Sequence, residues 1–181
     1  MNRQPVLEGE RLLLRPLRES DWDALYAVAA DRELWAVHPS HDRWQEPVFR
    51  EFFADALAKG GALAVLHKDT DEIIGSSRFQ GYDPADGGMV EIGWTFLARR
   101  HWGTGLNAEM KRLMLEHAFR FVDRVLFRVG ADNLISRKAM TKIGGRLTGE
   151  TWVEDRVGRP IEHVLFEIDR ESFAAGPLAA L

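Results

Sequence analysis

The sequence predicts one α/β (α+β) domain built on a mixed sheet, and three observations carry that prediction. Two strand-like runs, residues 62–67 and 73–82, flank the short polar segment 68–72, which is the signature of an antiparallel hairpin. A strand-like run at 89–97, a long amphipathic helical pattern and a second strand-like run at 124–130 follow one another, the order of a right-handed parallel crossover. A last pair of runs, 146–157 and 161–169, closes the chain as a hairpin around Gly158. Together these give a central sheet of about six to seven strands with about four helices.

Composition narrows the function classes. The chain has 181 residues, 45% of them hydrophobic, enough for one full core, and a single domain over 1–181 is expected. Lys and Arg total 24 against 28 Asp and Glu, so no bulk positive charge points to nucleic acid or an anionic membrane as partner. With no cysteine, there is no disulfide framework, no cysteine nucleophile and no thiolate metal site. No apolar run approaches a bilayer span and the N-terminus lacks a signal-peptide core, so a cytoplasmic protein is expected.

The elements follow in order. Leu12, Leu13 and Leu14 between charged ends suit a first strand over 10–17, with Pro16 at its end or on an edge. Ser20 and Asp23 resemble a capping box, and Trp22, Leu25, Tyr26 and Ala29 fall at helical spacing, so a helix is expected over 21–30. Residues 31–46 carry His38, His41 and Asp42 in an irregular loop. Their spacing is loosely that of metal ligands, but no third histidine is close, and no metal is expected. Pro47 opens a helix whose stripe of Phe49, Phe53 and Ala56 ends at Gly60 and Gly61.

Along the strand 89–97, strict alternation places Val90, Ile92, Trp94 and Phe96 on one face and Glu91, Gly93 and Thr95 on the other. The second set mixes a carboxylate, a missing side chain and a hydroxyl, which suits a ligand better than plain core. After the central helix and the 124–130 strand, Asn133 starts a helix that Gly144 and Gly145 close. The alanine-rich segment 173–181 reads as a frayed tail.

The chain is organised around residues 99–117, RRHWGTGLNAEMKRLMLEH, a basic loop opened by glycines and set directly against a helix start. Free N–H groups and the positive end of a helix dipole hold an anion there, and Gly103 and Gly105 let the backbone approach it. Gly103, Gly105 and Ala108 also fit the letters of a dinucleotide fingerprint. That reading needs the first glycine to end the strand, and the insert 99–102 stands between them, while Asp132, the nearest candidate for the ribose-binding acid, comes late.

The alternative is RxxGxG at Arg100 to Gly105, with EIGW at 91–94 before it, Asn133 and Ser136 after it, and the closing KIGG at 142–145. With the opening GERLLLRPL at 9–17, this resembles the GNAT N-acetyltransferase superfamily, in its RimJ/RimL-like branch. The resemblance implies acetyl-CoA as cofactor, with a pantetheine arm lying between two splayed parallel strands. It implies a cofactor set of Trp94, Phe96, Arg100, His101, Trp102, Gly103, Thr104, Gly105, Leu106, Asn133 and Ser136, with Ser136 near the sulfur.

Transfer to an amine needs a base, oxyanion stabilisation and a proton for the leaving thiolate. Glu91 is the candidate base, against the plainer role of a solvated or salt-bridged strand carboxylate. Ser136 is the second catalytic candidate, although Asn133 and Ser136 also suit simple helix capping. Trp35, Trp44 and Trp152 are the candidate acceptor walls, or else core. His117, on an apolar helix face, reads as a core histidine.

The expected function is N-acetyl transfer to a primary amine by direct attack, the acceptor being a protein or peptide N-terminus. A small amine (metabolite or antibiotic) and a non-catalytic acyl-CoA-binding module are the alternatives. A homodimer is left open.

Overall fold

The computed structural model describes residues 1–156 and 159–179. One eight-stranded sheet runs through the molecule, in the order β1-β2-β3-β4-β5-β6-β8-β7. Its strands are β1 (Leu7–Glu8), β2 (Leu12–Pro16), β3 (Ala62–His67), β4 (Glu72–Asp83), β5 (Met89–Leu97), β6 (Arg124–Gly130), β7 (Arg146–Arg156) and β8 (Arg159–Asp169). The helices are α1 (Trp22–Ala29), α2 (Glu46–Lys59), α3 (Leu106–Ala118), α4 (Leu134–Lys142) and α5 (Arg170–Ala174). The two-residue β1 is the strand that sequence periodicity cannot see, because a single pair of positions carries no period. The hairpin turn expected around Gly158 lies outside the described residues.

The sheet has a core on each face. On one, Met110 and Met114 of α3 pack with Leu12, Leu14, Val65, Val90 and Ile92. On the other, Leu25 of α1 and Phe49 and Phe53 of α2 pack with Ala64, Leu66 and Phe96. Strand β3 has core on both sides, which is why 62–66 is a continuous apolar run. Fully buried Phe49 is the centre of the second core, and truncating such a residue to Ala costs about 3–5 kcal/mol. Pro47 in the first turn of α2 and Gly60 at φ 68 after its last turn fix that helix's ends as predicted.

Other expectations are corrected. The carboxylate that organises the start of α1 is Asp21, which accepts from Arg18 N at 2.8 Å and pairs with Arg15 at 2.7 Å, rather than Ser20 and Asp23. The segment after Phe173, expected to fray, holds Leu178 in the core at 2% exposure, and Phe173 lies 5.2 Å from the ring of Phe119.

Two features of β5 position everything that follows. Its parallel pairing with β6 lasts for only three positions, Met89↔Arg124, Val90↔Val125 and Glu91↔Leu126, after which the strands part. Its antiparallel pairing with β4 steps from Ser76↔Phe96 to Arg78↔Gly93, two residues against three, so one extra residue is accommodated at Trp94, whose φ is 53. The bulge shifts the alternation. Val90 and Ile92 belong to the α3 core as expected, but Phe96 belongs to the α2 core, and Thr95 turns toward α3.

Candidate active site between the parted strands

Where β5 and β6 separate, a cavity of about 610 Å³ opens, with its floor on α3 and its far wall on α4. The irregular segment 34–43 covers it. There a single turn at Arg32–Trp35 is capped by Asp31, which also pairs with Arg99 at 2.6 Å, and Pro39 reaches the end of β6. A Cβ on Gly130 would meet Pro39 Cγ at 2.5 Å, so the absence of a side chain at Gly130 is what lets the loop close over the strand.

Glu91 sits at the apex, the last paired residue of β5, 9% exposed. Burial pushes its carboxyl above the ordinary range, and Arg128, with Nε 3.5 Å from Oε2, offsets this only in part. A buried carboxyl with a raised pKa is a better proton acceptor than a surface carboxylate, which suits a base acting near neutral pH. Arg128 in turn lies 4.6 Å from the ring of Trp152, which is half exposed at the cavity wall.

The bulge puts Trp94 against Arg78, whose guanidinium carbon lies 4.9 Å from the ring centroid. Arg78 is 1% exposed and is held by Asp55 of α2 at 2.8 Å. A left-handed φ at a bulky residue costs of order 1–3 kcal/mol, and the stacked, ion-paired arginine is what secures it.

At the open end the chain passes through a single turn, Arg99–His101, into Trp102 to Gly105 and then α3. Gly103 and Gly105 have φ of 76 and 88, as the loop reading required. A Cβ on Gly103 would meet nothing, so its backbone faces open space, and no side chain caps the first turn of α3. The result is a set of backbone donors at a helix N-terminus with room before them. Trp102 is anchored through Nε1 to Leu97 O at 2.9 Å and, with Gly103, borders the cavity.

Asn133 and Ser136 lie on the α4 wall. Asn133 caps the helix, its Oδ1 accepting from Ser136 N at 3.1 Å, so the capping role expected of the pair is present while both residues face the cleft.

Several predicted residues are not brought in. Arg100 turns outward to Glu72 at 3.1 Å, and its side chain is 57% exposed. His101 stacks on His67 at 5.7 Å, away from the cavity. Leu106 is 2% exposed in the α3 core, and Thr104 spends its hydroxyl on His101 O at 2.7 Å. Phe96 touches the cavity but is chiefly core. Trp44 packs at the edge of the α2 core and does not wall the cleft. Trp35, 1% exposed with Nε1 on Ala29 O at 2.7 Å, is a core residue with one edge on the cavity. His117 is the buried histidine expected, with Nε2 2.7 Å from Asn2 O.

Three residues escaped sequence reasoning. Arg11, beside β2, reaches the loop: its Nη1 donates to Thr104 O at 3.0 Å and its Nε to Glu109 at 2.9 Å. Glu109, in the first turn of α3, also accepts from Arg11 N and Leu12 N, tying the glycine loop to the first strands. Lys111, two residues on, is buried on the cavity floor. Nothing in sequence separates these from ordinary charged positions on a strand end or a helix.

Comparisons with known proteins complete the site. A family model described as "Acetyltransferase (GNAT) domain" matches residues 11–146. The chain is 28% identical over 177 residues to "Uncharacterized N-acetyltransferase p20" of Bacillus licheniformis, covering 93% of this chain and 98% of that one. Its fold is similar to a GCN5-related N-acetyltransferase from Brucella melitensis, with a TM-score of 0.81 at 21% identity over 95% of this chain and 81% of the other. It is also similar to Mycobacterium smegmatis RimJ in complex with CoA-disulfide, with a TM-score of 0.72 at 19% identity over 93% and 86%.

Proposed function

Because the chain belongs to the GNAT acetyltransferase family, an acetyl-CoA-dependent group of acyltransferases, we propose that it acetylates a primary amine by direct attack, the acceptor being a protein or peptide N-terminus. The buried Glu91 at the apex of the parted strands, with its raised pKa, carries this reading.

The residues present fit acetyl-CoA. The uncapped first turn of α3 and the left-handed Gly103 and Gly105 would hold its pyrophosphate, and the unpaired inner edges of β5 and β6 would take its amide chain. Once bound, it supplies the activated acyl group. Glu91 then removes a proton from the incoming ammonium, directly or through water, and makes the nitrogen nucleophilic. Trp94 and the segment 34–43 keep water from the apex, and Ser136 on the α4 wall offers a hydroxyl donor on the sulfur side. The peptide acceptor is supported by the RimJ/RimL-like sequence features at 9–17, 91–94 and 142–145. The half-exposed Trp152 provides an apolar surface beside Glu91's partner Arg128 on which an acceptor's first side chains can lie.

The test is acetyl-CoA turnover, read by thiol release, over a panel of N-terminal peptides and small amines. Peptide turnover that Glu91→Gln suppresses is the expected result. Turnover with small amines alone reassigns the acceptor, and cofactor binding with no turnover on any amine makes the protein a non-catalytic acyl-CoA module.

A further inference from the structure

Lys111 is 4% exposed, yet it carries an amine on the floor of the cleft. Its Nζ donates to Thr95 Oγ1 at 2.7 Å, lies 3.5 Å from Ser77 Oγ, and is 5.5 Å from the ring centroid of Phe127. These contacts span β4, the β5 bulge and β6, so the amine lies where the two strands part. The charged and titratable groups on the surrounding elements are Glu91 of β5, Arg128 of β6, Glu154 of β7, His163 of β8, and His38 and Arg43 of the covering segment. No carboxylate contributes to its protonation: burial alone pulls the ammonium down to about 7. A cation so placed is costly, and a methionine of similar length would fill the space without that cost.

We propose that Lys111 is a catalytic residue, its Nζ stabilising and then protonating the sulfur that leaves when acyl transfer takes place at this cleft. This rests on the acetyl-CoA reading of the site. As the amine nitrogen's lone pair forms the C–N bond, the C–S bond breaks and its electron pair goes to sulfur. One Nζ proton passes to that sulfur, giving the free thiol of CoA and a neutral Lys111. The amine's own proton goes to Glu91 or water, and solvent returns a proton to Nζ. Thr95 and Ser77 hold Nζ in place through the cycle, and the anion that Lys111 lacks at rest is the transient thiolate.

The absence of cysteine makes the test direct, since in a CoA complex the ligand's thiol is the only one present. Thiolate ultraviolet absorbance of the saturated wild-type complex is titrated with pH, with the acetyl-CoA complex as blank. The thiol is expected to ionise at least about one pH unit lower than in free CoA, because the thiolate supplies the anion that keeps Nζ protonated and the two groups titrate as a coupled pair. In K111M it should ionise at or above the free value, because burial then acts alone. An unshifted wild-type thiol overturns the proposal without any variant, as does a K111M complex with the wild-type shift. If wild type fails to bind acetyl-CoA in a thermal-shift assay, the acyl-transfer reading itself fails. Binding with an unshifted thiol removes only the role of Lys111.

Discussion

Replacing Glu109 with alanine removes three bonds at once and tests whether the proposed anion-binding loop is braced by the first strands. The carboxylate accepts from Leu12 N at 3.1 Å, Arg11 N at 2.8 Å and Arg11 Nε at 2.9 Å. Leu12 is fully buried, so its orphaned N–H costs about 1–3 kcal/mol. Arg11 is half-buried and its N–H can be partly rehydrated, and the ion pair adds under about 1 kcal/mol because the Arg11 side chain is 41% exposed. The sum is about 2–4 kcal/mol, a fall of about 1–2 M in urea midpoint for a chain of this size.

The pH dependence has a definite sign. Burial raises the Glu109 carboxyl, but the bonds from Arg11 and Leu12 outweigh it, and the net shift is downward. The stabilisation is therefore fully present above the ordinary carboxylate range and is lost as pH falls through the lowered folded value. Wild type and E109A should converge in acid. The paired assays are urea unfolding at neutral and acid pH, and acetyl-CoA affinity, which should weaken as Arg11 lets go of Thr104 O. A loss under about 0.5 kcal/mol at neutral pH, or a gap that widens in acid, would refute the reasoning.

Glu91→Gln should slow turnover at neutral pH and partly recover at high pH, where the amine deprotonates unaided, while acetyl-CoA affinity stays put. A flat loss across pH, or none, would mark Glu91 as structural. The same variant should raise the melting temperature of the free protein at neutral pH. A carboxyl raised by burial favours folding only below its unfolded value and opposes it as pH rises through the folded one. Ser136→Ala should cut turnover about ten- to a hundredfold, about 1–3 kcal/mol, at every pH, and pH rescue would contradict its proposed role as a donor to the sulfur. Gly103→Val, strained at φ 76, should cost about 1–2 kcal/mol and abolish the thermal shift given by acetyl-CoA while the protein still folds. A preserved shift would move the anion site elsewhere.

The fold was largely readable because its elements obey period and punctuation. The boundaries of α2 follow from Pro47 and Gly60, and β3 follows from a run of apolar residues. What sequence could not show is tertiary in origin. The alternation along β5 breaks at Trp94, a residue whose propensity gives no hint of positive φ, because Arg78 and Asp55 hold it from other elements. The parting of β5 and β6 leaves no mark on either strand's pattern. Among candidate site residues, Glu91, Gly103, Asn133 and Ser136 were legible because motif spacing ties them to the loop, and all four line the cavity. The outward turn of Arg100 was not legible, since Glu72, 28 positions away, holds its guanidinium. Lys111 was invisible, because a helical lysine looks the same in sequence whether it meets water or Phe127.

The brief ladder between β5 and β6 also bears on aggregation. Beyond Glu91 and Leu126 these central strands expose their backbone edges to a gap, so the sheet has unpaired edges in its interior as well as at its rims. An unpaired edge invites a foreign strand from another chain. At the rims the usual defences appear: β1 is two residues long, and β7 carries Glu150, Glu154 and Asp155. The interior edges have no such run of charge. Their protection is steric, because Pro39 lies across Gly130 and α3 blocks the floor. Loosening the 34–43 segment is therefore a route to misassembly, and the strand-like partner these edges can accept in the native state is one slender enough to thread the gap.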